Sequence, residues 1–177
     1  GIIMYQKTGL VFYYLKDYLG DEMFDQCMRN YYSEWEFKHP QPQDMQRSMQ
    51  RTSGKDLSWL FDDLIQTTNH VDFKLKRVKE KDNTLSIKVK NTGQVNGPIE
   101  INGLAGEKVV ETVWVEPGQK TATIVLNNKS IDQVLIDHNK DIPEMNRQNN
   151  SWIKNKAFHR LEPLKLEFLG GDNEPKS

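Results

Sequence analysis

Residues 53–78, SGKDLSWLFDDLIQTTNHVDFKLKRV, change their hydrophobic period half-way along. Up to Ile65 the apolar residues Leu57, Leu60, Phe61, Leu64 and Ile65 recur at helical spacing, which predicts an amphipathic helix with Asp62 and Asp63 outward. From Val71 onward apolar and polar residues alternate, the period of a half-buried strand. The chain is therefore expected to be helical before about residue 70 and β-sheet after it.

Toward the N-terminus the helical period continues. Val11, Tyr14, Leu15, Tyr18 and Leu19 make one stripe; Phe24, Cys27, Met28, Tyr31 and Trp35 make a second. Gly20 ends the first helix, Asp21 is placed to cap the second, and Glu22 suits its positive start. Pro40 and Pro42 break the pattern, and Pro42 is placed to open a third short helix over QDMQRSMQR. The aromatics Tyr31, Tyr32, Trp35 and Phe37 are expected to pack the bundle core.

Toward the C-terminus, VDFKLKRV, TLSIKVK, PIEINGLA, KVVETVWVE, TATIVL and SIDQVLID alternate, separated by the turn signals KDN, NTG, NGP, EPG and LNNKS. Six or seven short strands at this spacing predict an antiparallel immunoglobulin-like β-sandwich, without the Cys and Trp signature of antibody domains. The fold class is thus α+β: a bundle of about four helices over residues 1–70, then a β-sandwich over 71–141. Residues 142–177 read as an irregular segment opening a further C-terminal region, with one more strand expected in PLKLEFLGG.

A net charge of −1 over 177 residues gives no overall excess to hold nucleic acid. The longest apolar runs, such as GLVFYYL, fall well short of the roughly 20 residues a membrane helix needs. The first residues have neither the basic nor the apolar region of a signal peptide, so the compartment is not legible from them. Cys27 is the single cysteine, which excludes an internal disulfide and reads as a buried thiol.

Candidate sites are few. His39, His70, His138 and His159 stand far apart, and no HExxH or HxH pair occurs, so a zinc site made by this chain alone is not expected. Asp137, Asn139 and Asp141 match the first ligands of a calcium loop. Ile142 replaces the required glycine and Gln148 the required bidentate Glu, which predicts weak binding at most. Asn128 and Asn149 begin glycosylation sequons that chance explains.

The stretch YQKTGLVFYYLKDYLG, followed by the SGKDLSWLF helix directly before a strand-rich segment, resembles the back half of the catalytic domain of M1 zinc aminopeptidases, the gluzincins, of bacterial type. The residues that carry the resemblance are Tyr5, Lys7, Thr8, Leu19, Gly20, Ser53, Gly54, Asp56, Leu57, Trp59 and Phe61. It covers residues 4 to 70 in detail and the sandwich in outline; Thr8 stands where the commonest form of the motif has glycine.

The resemblance implies that residues 1–70 end a catalytic domain and that Tyr5 points into the active site. There its neutral phenol would donate a hydrogen bond to the oxyanion formed when a zinc-bound water attacks a peptide. Zinc would be a cofactor of the parent protein only, held by upstream histidines and a glutamate absent from this sequence. The fragment alone is then expected to be inactive, with a peptide substrate and the missing zinc-bearing half of the domain as partners. Faces built to meet that half, with Met4, Phe12 and Tyr13 as candidates, are expected to favour self-association. The family also leans toward the periplasm or cell envelope over the cytoplasm. The alternative is a non-catalytic interaction or scaffold module, a helical bundle joined to an immunoglobulin-like domain.

Overall fold

The computed structural model describes the backbone of residues 2–127 and 130–154 and the side chains of residues 9–127 and 130–154. Among these, four helices precede seven strands. The expected strand in PLKLEFLGG, together with His159 and Asn128, lies outside the described residues.

Helix α1 (Ile2–Leu19) buries Val11, Tyr14, Leu15 and Tyr18, while Leu19 stays half-buried. Gly20 takes φ = 80° and lets α2 (Asp21–Trp35) start at once. Asp21 is therefore the first helical residue and not the cap the sequence predicts; its carboxylate pairs with Lys16 at 3.3 Å instead. Helix α3 (Pro42–Ser53) opens on Pro42, with the Asp44 carboxylate accepting the Gln41 backbone N–H at 2.8 Å, and ends at left-handed Gly54.

Two expectations about the helices are corrected. Of the α2 stripe only Cys27 is buried, and Tyr32 is 66% and Phe37 99% exposed. Among the described residues α2 packs chiefly on α1 and α3, so its far side has no neighbour to bury those aromatics. The SGKDLSWLF segment forms a π-helical turn, α4 (Trp59–Ile65), and not an α-helix. Trp59, Leu60, Phe61 and Leu64 are buried in this wider turn, and Ile65 is left half-buried.

The strands are β1 (Phe73–Lys81), β2 (Thr84–Asn91), β3 (Ile99–Ala105), β4 (Lys108–Val115), β5 (Thr121–Leu126), β6 (Gln133–Ile136) and β7 (Ser151–Ile153). They form two antiparallel sheets, β1-β2-β5 and β4-β3-β6-β7. Asp82 and Asn83, both with positive φ, make the tight β1–β2 turn that the KDN signal predicts. In β2 the alternation is strict: Leu85, Ile87, Val89 and Asn91 are buried and the residues between them are not.

Strand β7 falls where the sequence pattern reads as irregular. Three residues are too short to show a period, and only pairing with β6 makes them a strand. The preceding loop packs down as well: Ile142 is buried, and the Glu144 carboxylate accepts the Phe73 backbone N–H at 2.7 Å.

The helices and both sheets share one continuous core, running from Val11, Tyr14 and Leu57 to Ile87, Ile101 and Val134. Two glycines mark the tightest approaches. A Cβ on Gly93 would lie 2.6 Å from the backbone N of Asp72 and O of His70, whereas one on Gly103 would meet the side-chain tips of Ile131 and Leu126. Backbone cannot yield as methyl groups can. Gly93→Ala is expected to cost roughly 1–3 kcal/mol and Gly103→Ala less, as measured by urea denaturation; equal costs would contradict this account.

Candidate functional site

Tyr5 lies one turn into α1, and its side chain is outside the described set. What the structure shows is how that helix is held. Nine residues further on, about 13 Å along the axis and half a turn round, α1 meets the sheets through Tyr14 and Tyr18. The buried Tyr14 hydroxyl donates to the backbone carbonyl of Pro98, in the loop before β3. Tyr18 donates to the carboxylate of Glu116, just after β4, and accepts from Lys55 Nζ at 3.0 Å. Lys55 also reaches Glu116 at 3.2 Å and sits 4.4 Å over the Tyr18 ring.

Trp59 fills the space between these tyrosines, with ring centroids 4.9 Å from Tyr14 and 6.2 Å from Tyr18, and Trp114 of β4 meets Tyr18 edge-on at 5.5 Å. Gly97 makes room: a Cβ there would stand 2.7 Å from the Tyr14 oxygen and 3.1 Å from the Trp59 ring. Burial holds both phenols protonated by raising their pKa, Tyr14 most strongly. The hydrogen bond from Tyr18 lowers the pKa of Glu116, and the one to Tyr18 raises that of Lys55.

The SGKDLSWLF residues thus have structural duties here. Asp56 accepts the Ser58 N–H at 2.9 Å and its hydroxyl at 2.6 Å, Leu57 is buried, and Phe61 meets Phe12 edge-on at 6.4 Å. Ser53 ends α3 and accepts the Lys55 backbone N–H at 3.3 Å, with Gly54 as the left-handed cap. Tyr14 and Tyr18 were legible only as part of a buried stripe, and nothing in EPGQ announces Glu116 as their partner.

The other candidates stay apart. His39 lies between α2 and α3, His70 before β1 and His138 after β6. Among the described residues no group of three His, Cys, Asp or Glu side chains is arranged to hold a metal ion. Asp137, the first residue of the calcium-like loop, is buried and already satisfied. It accepts from the backbone N–H groups of Asp141 and Ile142 at 2.9 and 3.0 Å and pairs with Arg147 at 2.5 Å.

With that geometry in view, the sequence model of the peptidase family M1 domain matches residues 1–64, which takes in α1 to α3 and all but the last residue of α4. That match is confined to the helical part of the chain and leaves the strands outside it. The structure of Legionella pneumophila aminopeptidase A in complex with aspartic acid resembles 78% of this chain with a TM-score of 0.59, at 17% identity. That likeness is one of fold, and this chain spans 17% of the length of that protein. No curated protein sequence matches the chain.

Between helix α1 and the second sheet lies a group of carboxylates. Asp17 of α1 shares a side-chain hydrogen bond with Asp141; Glu100 of β3 and Asp137 stand nearby, and Glu144 lies against Phe73. Arg147 and His138 are the facing cationic or titratable groups that act on them. Burial first, and then Asp141, push Asp17 up to about 7. Burial first, with a smaller push from Asp137, lifts Glu144 to about 7, against the hydrogen bonds it accepts from Phe73 and Asn150 and the nearby Arg147. Glu100 and Asp137 are raised by burial too.

These carboxyls keep protons in the folded chain above the unfolded value of about 4, so folding takes up protons between about pH 4 and 7. Their contribution is complete below that window and is lost as pH rises through it. The melting temperature is therefore expected to be higher at pH 5 than at pH 8, and Asp17→Asn should flatten the slope. Calorimetry showing stability rising from pH 5 to 8 would overturn this reading.

Proposed function

We propose that the chain is part of a zinc-dependent M1-type aminopeptidase, a hydrolase that removes N-terminal residues from peptides, and that Tyr5 is its oxyanion donor. The observation that carries the reading is the family match over residues 1–64, with Tyr5, Lys7 and Thr8 at the start of a helix whose far end is fixed. The described residues do not fit a zinc site, so the metal would be held by parts of the protein beyond this sequence, and no step here is routed through it.

What this chain contributes is position and a neutral donor. A phenol of ordinary pKa near 10 keeps its proton at neutral pH and can hydrogen-bond the oxygen that gains charge as a peptide carbonyl becomes tetrahedral. Such a donor works only when held in place before the reaction. The anchoring of α1 through Tyr14 and Tyr18 supports that requirement.

The two sheets would serve as the supporting domain, of immunoglobulin type. Strand order supports this: β1-β2-β5 faces β3-β6-β7 as strands A, B and E face C, F and G, with β4 placed beside β3 on the second sheet. The missing part of the catalytic domain is the natural cover for the M1 segment. Tyr13 is 62% exposed, consistent with the expected apolar face, although Phe12 is half-buried against Phe61 and Met4 lies outside the described side chains.

In the whole protein Tyr5→Phe is expected to lower kcat roughly 100- to 1000-fold on an aminoacyl anilide, with zinc content unchanged. Unaltered turnover would remove Tyr5 from the mechanism, and a whole protein that hydrolyses no peptide would leave the scaffold reading. The chain by itself should be inactive and self-associate, read by sedimentation velocity over a range of concentrations.

A further inference from the structure

The outward face of the β1-β2-β5 sheet has an unusual charge distribution. Strict alternation in β2 turns Leu85, Ile87 and Val89 inward and leaves Lys88 and Lys90 outward. The register sets Lys74 opposite Lys90 and Arg77 opposite Lys88, with Lys79 opposite Ser86 and Lys81 opposite Thr84. On the other side of β2, Lys88 pairs with Thr123 and Lys90 with Thr121. One sheet face thus carries six cations separated by hydroxyls, in a chain whose net charge is −1.

Two physical points make this arrangement informative. Like charges directly opposite each other on a sheet destabilise it, and this face holds two such pairs. Among the described residues no carboxylate forms an ion pair with any of the six; Glu80, between Lys79 and Lys81 in β1, stands opposite inward Leu85 and pairs with Lys154. The acids that flank the β1–β2 hairpin in sequence, Asp72 and Asp82, lie outside the two strands, and Asp72 is engaged by the Thr92 hydroxyl at 2.8 Å. Arg77, Lys79, Ser86, Lys88 and Thr123 border a shallow open depression of about 270 Å³, large enough for a phosphate-sized group.

The chemistry of the face also decides among polyanions. Protein interfaces are depleted in Lys and centred on aromatic anchors, and single-stranded nucleic acid is held by aromatic stacking. This face has no aromatic residue, and Val125 is its one large exposed apolar side chain. A layer of anionic headgroups needs neither anchor nor stack; it needs cations spread in a plane, each adding attraction.

We propose that the outer face of the β1-β2-β5 sheet is an electrostatic docking face for an anionic lipid surface. It would set the protein against the bilayer through Arg77, Lys79, Lys88 and their neighbours, without insertion. The proposal stands on the sheet alone and does not rest on the peptidase reading.

The test is co-sedimentation of the full chain with vesicles of phosphatidylcholine alone or with about one third phosphatidylglycerol. Binding is expected only to the anionic vesicles at about 50 mM salt and is expected to be lost near 500 mM, where screening shortens the range of each charge. Lys88→Glu places a carboxylate opposite Arg77. It should keep or raise the melting temperature while weakening vesicle binding about thirtyfold, since two charge units change. Lys79→Gln, at an exposed position, should weaken binding about fivefold and guards against a folding defect in the first variant. No binding at low salt, equal binding to neutral vesicles, or unchanged binding in both variants would overturn the proposal. So would tighter binding to a single-stranded oligonucleotide than to the vesicles.

Discussion

The contact on which the rest depends is the insertion of two tyrosines from the first helix into the seam between helices and sheets. Tyr14 is fully buried and Tyr18 nearly so, and each ends its ring in a hydrogen bond to the sheet side, at Pro98 and Glu116. Burying one such ring contributes about 1.5–3 kcal/mol, whereas an exposed ion pair contributes at most about 1. Lys55 and Glu116, both partly exposed, therefore orient the seam more than they hold it. The rings supply the attraction and their hydroxyls supply the register.

That seam explains why the helices and the sheets share one core. Trp59 of α4 and Trp114 of β4 meet the same tyrosine, so the π-helical turn, the first helix and the second sheet are fixed by one aromatic cluster. The loop that carries Asp137 to Arg147 and returns as β7 closes the other side, and it buries acid against acid where α1 passes. The helix is thus fixed at its C-terminal half. Tyr5 lies on the same helix, about 13 Å along its axis from Tyr14.

Much of this architecture was legible in the residues. The switch of period near residue 70, Pro42 as a helix start, Gly20 and Gly54 as helix ends, and six of the strands all follow from local rules. The exceptions have physical causes. Phe37 and Tyr32 look like core residues by spacing, yet no partner element covers that side of α2 among the described residues. The calcium-like Asp137 is satisfied by Arg147, which stands ten positions away and matches no motif.

The sequence by itself determined where the first three helices and six of the strands lie, and, through Tyr5, Lys7, Thr8 and the SGKDLSWLF stretch, the likeness of the first 64 residues to the peptidase family M1 domain. These properties reside in short-range spacing, where each residue answers to its neighbours along the chain. Tertiary structure alone decided that Tyr18 meets Glu116 across 98 positions, that Asp17 shares a hydrogen bond with Asp141, and that six cations gather on one sheet face. Those depend on strand register and helix docking, which arise from packing between distant segments and leave no periodic trace in either one.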